Sequence, residues 1–145
     1  MSDTIACWRC DVCKALIEEP EQGYVIWKND FQHRAYAFKI IHKIECDRDD
    51  HTSSSALSDF LGHEGLTKLL SHLSLGPIKV ALSQGSPSGV VSMDEFVDLV
   101  RRVQTPFYEA ARQNFSNPEV LEGYSDANEL MPYSPEELKS IASRY

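Results

Sequence analysis

Four residues constrain this chain more than any others. Cys10 and Cys13 come first, separated by two residues; a stretch rich in β-branched and aromatic residues follows; then come His42 and Cys46, separated by three. Two intervening residues let one tight turn present both sulfurs to a single ion, and the backbone N–H groups of that turn can donate to the thiolates. Three intervening residues let a second turn do the same from the other side. Zinc has no ligand-field preference and takes four soft or borderline ligands tetrahedrally, so three thiolates and one imidazole at this spacing read as a structural zinc site.

The remaining composition fits that reading. The first 13 residues have neither the basic nor the apolar region of a secretory signal, and no apolar run approaches the ~20 residues a membrane span needs. The expectation is a cytoplasmic protein with no membrane contact, in a reducing compartment where clustered cysteines serve as metal ligands rather than disulfides. Of the 145 residues, 14 are Lys or Arg and 22 are Asp or Glu, giving a net charge of -8. No segment is basic enough to be an electrostatic footprint for nucleic acid. An acidic surface suits solubility and partners with basic surfaces.

Local patterns divide the chain at about residue 50. Tyr24–Trp27 and Tyr36–His42 read as two strands joined by a loop from Asn29 to Arg34. Paired as a hairpin, they bring His42 to the same end as Cys10 and Cys13. The polar run Cys46–Ser55 reads as a loop. Beyond it, Leu57, Phe60 and Leu61 share one helical face that Gly62 can end. Leu66, Leu69, Leu70 and Leu73 make an apolar stripe on a helix from Glu64 to Leu75, stopped by Gly76-Pro77. Ile78–Leu82 reads as a short strand, and the Gly/Ser/Pro-rich segment 84–89 as a loop and hinge. Ser92-x-x-Glu95 is a capping box opening a helix with Phe96, Val97, Val100 and Val103 on its buried face. Pro106 should break that helix, either as a plain interruption or with Thr105-Pro106 starting a new one through Phe115. Phe107, Tyr108 and Phe115 read as core. Asn117-Pro118 reads as a turn, and Ser134-Pro135-Glu136-Glu137 as the start of a last helix to Ser143. The predicted fold class is α+β: a zinc-bound β-hairpin module over residues 1–50, packed on a mainly helical part over residues 51–145 as one compact unit.

With Cys10, Cys13, His42 and Cys46 as ligands, residues 7–50 resemble the zinc-ribbon and treble-clef families. Two features depart from them: a longer gap between ligand pairs, and His-x3-Cys in place of a second Cys-x2-Cys. The resemblance implies a scaffold rather than an activity, because such modules bind protein, nucleic acid or only their own core.

Alternatives remain open from sequence. Cys7-x2-Cys10 also fits the first pair, and His51 is a reserve ligand for His42. A site closed by four protein ligands leaves no position for a catalytic water; were the zinc catalytic, Glu45 or Asp47 would be the first bases to test. His33, His63 and His72 read as surface or capping residues. The acidic run Asp47, Asp49, Asp50 lacks the glycine and terminal glutamate of a calcium loop and reads as solvated. Arg101-Arg102 reads as the exposed flank of an amphipathic helix, paired with Asp98. Three functions are weighed in order. The first is a protein-interaction or regulatory module. The second is a nucleic-acid binder using Lys14, Lys28, Arg34, Lys39 and Lys43 with Trp27, Tyr36 and Phe38 for stacking, which the net charge opposes. The third is a metal-dependent enzyme, for which no catalytic constellation stands out.

Overall fold

The computed structural model describes residues 7–47, 51, 53–82, 89–125 and 133–144. Residues 84–88 of the expected hinge, and Asp49 and Asp50 of the acidic run, lie outside the described residues. The architecture is α+β, with two small antiparallel sheets followed by helices. In the first sheet, β1 (Trp8–Arg9) pairs with β2 (Leu16–Ile17) around the Cys10–Cys13 turn. The second has the order β4-β3-β5, built from β3 (Gly23–Asn29), β4 (Ala35–His42) and β5 (Ser53–Ala56).

The expected hairpin forms. Gly23 pairs with His42 and Val25 with Ile40, and the register shifts between Ile26 and Lys28. Asp30 closes the connecting loop: its Oδ1 accepts the backbone N–H groups of Gln32 and Arg34, each at 2.9 Å. The last residues of the run read as a loop, Ser53–Ser55, instead belong to a third strand. Ser53–Ala56 pairs with Trp27–Tyr24 along the free edge of β3. Serines carry no strand propensity of their own; the partner supplies it, because β3 buries Val25 and Ile26 and needs its second edge paired.

Leu57–Phe60 forms a 3₁₀ turn with Leu57 and Phe60 fully buried. Helix α1 (Gly62–Leu70) follows. Of the expected leucine stripe, Leu69 is buried and Leu73 packs partly buried against the core, whereas Leu66 and Leu70 are exposed, Leu70 at 55%; Gly65 completes the buried face. The missing side chain of Gly65 lets the helix lie against the backbone of Phe60, and that approach sets the helix rotation. Ile78–Leu82 is not a strand: α2 spans Gly76–Ala81, with Leu82 N–H donating to Ile78 O at 3.0 Å. Gly76 takes a φ of 87° and turns the chain, and Pro77 opens the helix rather than ending one. A five-residue apolar run has too few positions for its period to separate strand from helix.

Helix α3 (Met93–Gln104) starts where expected, with Ser92 Oγ accepting Glu95 N–H at 3.3 Å. The box is only half closed, because Glu95 Oε1 accepts Phe38 N–H from β4 at 2.9 Å. Phe96, Leu99, Arg102 and Val103 are its buried side chains. The chain breaks at Pro106 and resumes as α4 (Tyr108–Arg112), entered through Phe107 at φ 68°. Thr105 ends α3 rather than capping α4. Asn117-Pro118 opens a further helix, α5 (Pro118–Ser125), and the last, α6 (Pro135–Arg144), begins at the predicted cap. Residues from Trp8 to Val103 form one apolar core; Tyr108, Ala111, Val120, Leu138 and Ile141 form a second.

Candidate metal centre

The loop between β1 and β2 is a tight turn. Cys10 N–H donates to Ala15 O at 2.9 Å and Lys14 N–H to Cys10 O at 3.0 Å. Lys14 reverses the chain at φ 67°. Two amides then aim at one sulfur: Val12 N–H and Cys13 N–H lie 3.4 and 3.5 Å from Cys10 Sγ. The second turn hangs from the end of β4. Lys43 N–H donates to Gln22 O at 2.8 Å, and Ile44 reverses the chain at φ 66°, directing Cys46 back under His42.

These turns bring Cys10, Cys13, His42 and Cys46 together, with one potential ligand atom from each lying within 4.8 Å of all the others. Cys13 Sγ is 3.3 Å and Cys46 Sγ 3.8 Å from His42 Nδ1. On the far side of the ring, His42 Nε2–H donates to Leu16 O at 3.0 Å. That bond fixes the ring orientation and leaves Nδ1 turned to the three sulfurs. Cys10 and Cys46 are buried, His42 half-buried and Cys13 exposed.

The electrostatics of the cluster are unbalanced. Burial opposes ionisation of Cys10, but the amides of Cys13, His42 and Val12 and the His42 ring outweigh it and bring the thiol down to about 6. Burial, hydrogen bonding to Cys10 and Cys13, and their negative charge push Cys46 up to about 11. Burial also opposes a charge on His42, yet the Leu16 carbonyl and Cys10 hold the imidazole above its ordinary value.

Cys7 and His51 stand apart from the cluster. Cys7 lines a cavity with Arg9, Leu16 and Glu109. His51 Nε2 contacts Asp47 Oδ1 at 2.7 Å. Glu45 is exposed beside the site.

Two residues, one beside the centre and one in the core, depart from their sequence reading. Arg102 is not on an exposed flank and does not pair with Asp98; it is 3% exposed. Its Nε donates to both Glu109 oxygens at 3.0 and 2.9 Å, its Nη1 to Asp11 Oδ2 at 2.7 Å and its Nη2 to Arg9 O at 3.0 Å. Asp98 serves Tyr108 and Arg112 instead. Burial pushes the Glu109 carboxyl up, and Arg102 pulls against it. The second is His72, which is no surface histidine. Its ring centroid lies 5.1 Å from Trp27, 5.8 Å from Phe38, 5.9 Å from Phe96 and 6.4 Å from Phe60. Sequence spacing gives no sign of either environment, because both are assembled from distant segments.

No protein-family model, curated protein or solved structure matches the chain. Among the described residues, no helix is long and apolar enough to cross a membrane.

Proposed function

We propose that Cys10, Cys13, His42 and Cys46 hold one structural zinc ion, and that the protein acts as a zinc-stabilised protein-interaction or regulatory module of the zinc-ribbon or treble-clef kind. The observation that carries this reading is the convergence of three sulfurs and one correctly oriented imidazole nitrogen within 4.8 Å. Zinc–sulfur bonds of about 2.3 Å and zinc–nitrogen bonds of about 2.0–2.1 Å imply sulfur–nitrogen edges of about 3.6 Å in a tetrahedron. The two sulfur–nitrogen distances of 3.3 and 3.8 Å bracket that value. A dication would also stabilise the thiolates that crowding disfavours.

Four protein ligands fill the coordination of zinc, which favours a structural ion over one that activates water. Protein is the partner class the surface supports better. Trp27 and Phe38 pack against Phe60, Phe96 and His72 at the edge of the core. Arg34 pairs with Asp30, and Lys43 lies over the Tyr24 ring. Four of the groups a nucleic acid would use, Trp27, Phe38, Arg34 and Lys43, are thus already engaged within the fold, and the net charge of -8 opposes a polyanion.

Elemental mass spectrometry on untagged protein purified without added metal tests the metal. One zinc per chain, lost in Cys10→Ser and Cys46→Ser but kept in Cys7→Ser, is expected. Well-folded protein without zinc would sink the reading. Titration with labelled DNA and RNA at low salt tests the partner class; salt-dependent binding would favour nucleic acid.

A further inference from the structure

The buried guanidinium of Arg102 joins the Cys10–Cys13 turn to α4. We propose that Arg102 is the positioning residue of the metal centre: it holds the Cys10–Cys13 turn in its metal-binding shape and links metal occupancy to the docking of α4. The proposal rests on the metal reading above.

The geometry is specific. Asp11 lies inside the turn, between the two cysteine ligands. Its backbone N–H donates to Ile40 O and its Oδ2 accepts Ile40 N–H, both at 2.8 Å. Asp11 therefore ties the turn to β4, two residues before the ligand His42. Arg102 completes the arrangement from α3, taking Asp11 Oδ2 with Nη1 and the carbonyl of Arg9, immediately before Cys10, with Nη2. Its Nε is committed to Glu109 on α4, and its own backbone carbonyl accepts the indole N–H of the buried Trp8 at 3.1 Å.

One planar group thus satisfies the turn, the strand before it and the next helix at fixed angles. A lysine, with a single charged nitrogen on a flexible stem, cannot reproduce three directions at once. Groups that orient metal ligands from behind typically change metal affinity by about 10–100-fold when removed. Linkage is reciprocal, so metal should tighten the docking of α4 by the same factor that docking of α4 tightens the metal.

The test uses the full chain. Zinc affinity is measured by competition with a chromogenic chelator, and the ligand field by the visible spectrum of the cobalt(II)-loaded protein. Arg102→Met is expected to weaken zinc about 10–100-fold and to shift the cobalt bands while the far-ultraviolet circular dichroism is retained. Arg102→Lys should recover only part of the loss. Arg101→Met removes a neighbouring charge that lies over the Tyr133 ring and should leave both readouts unchanged. Stripping the metal from the wild type should speed amide exchange over α4.

A folded Arg102→Met variant with wild-type zinc affinity and an unshifted cobalt spectrum overturns the proposal and leaves the metal reading standing. If Arg102→Met does not fold, Asp11→Asn, which keeps the acceptor and removes the charge, decides by the same two readouts. A wild-type chain that binds neither zinc nor cobalt overturns the metal reading itself, and the proposal falls with it.

Discussion

Replacing Gly65 by alanine should destabilise the protein, although in most helices the same change stabilises. A Cβ at this position would lie 2.0 Å from the carbonyl carbon of Phe60, 2.3 Å from its oxygen and 2.7 Å from its Cα. Ordinary contact between carbons is about 3.5 Å, so backbone must move by about 1.5 Å. Little can yield: Phe60 is fully buried, and its carbonyl accepts Gln104 Nε2–H from α3 at 2.8 Å. Overpacking costs about 1–3 kcal/mol, and loss of that hydrogen bond adds about 1 kcal/mol. Against these stands a helix-propensity gain of about 1 kcal/mol. The net is about 2 kcal/mol of destabilisation, or roughly an 8 °C drop in Tm at about 4 °C per kcal/mol. Gly123 is the internal control. It lies on α5 with nothing within 4 Å of its would-be Cβ, so Gly123→Ala should raise stability by about 0.5–1 kcal/mol. Guanidinium unfolding of both variants, with the metal state held fixed, checks the pair. If Gly65→Ala matches the wild type or gains alongside Gly123→Ala, the close approach of α1 to Phe60 is wrong.

Ile44 is 89% exposed and held at φ 66°, a conformation that costs a branched residue about 1–2 kcal/mol while its side chain buries almost nothing. Ile44→Asn should therefore stabilise the folded protein by about 1 kcal/mol in chemical unfolding, and a loss of stability would show that this side chain is covered in solution. His72 is held below its ordinary value by burial among four aromatic rings and then by the charge of Lys68. Below about pH 6.5 the unfolded chain takes up a proton that the folded chain resists, so stability falls with falling pH in that window and is recovered above it. His72→Phe should flatten that part of the stability–pH curve relative to the wild type, and an unchanged slope would refute the assignment. Stripping the metal with a chelator should shift tryptophan emission to the red as the fully buried Trp8 loses its setting; an unchanged spectrum would mean that β1 and β2 hold without the ion.

What could be read along the chain was local chemistry. The two Cys/His turns, the two long strands, the Ser92 and Ser134 caps and the break at Pro106 each depend on a few adjacent residues, and each forms where its motif lies. The misreadings share one cause: tertiary context. Ser53–Ala56 has no strand propensity and becomes a strand because β3 offers an open edge. Leu66 and Leu70 of the leucine stripe of α1 turn out of the core because Gly65 allows a closer contact than any leucine, while Leu69 stays buried. Ile78–Ala81 is too short for its period to be read. Arg102 looked like a surface cation because nothing near it in sequence shows that two carboxylates, 91 positions before it and 7 after it, would meet its guanidinium.

The same contrast explains why a chain able to bury a sizeable core would retain a metal. Trp8 and Ile17 are fully buried in the main core, yet the strands that carry them are two residues long. A pair that short has too few ladder bonds to hold its register in water. β3, β4, Phe60 and α3 form the rest of the same core and have ample partners of their own. The first turn therefore has to be fixed from outside: on one side by the proposed metal ligands, which would close a 29-residue separation between Cys13 and His42, on the other by the Arg102 network. Loss of either should open the N-terminal segment before the central sheet, as local unfolding rather than global. The proposed metal would thus set the shape of the N-terminal segment, while the sheet and helices behind it stay folded.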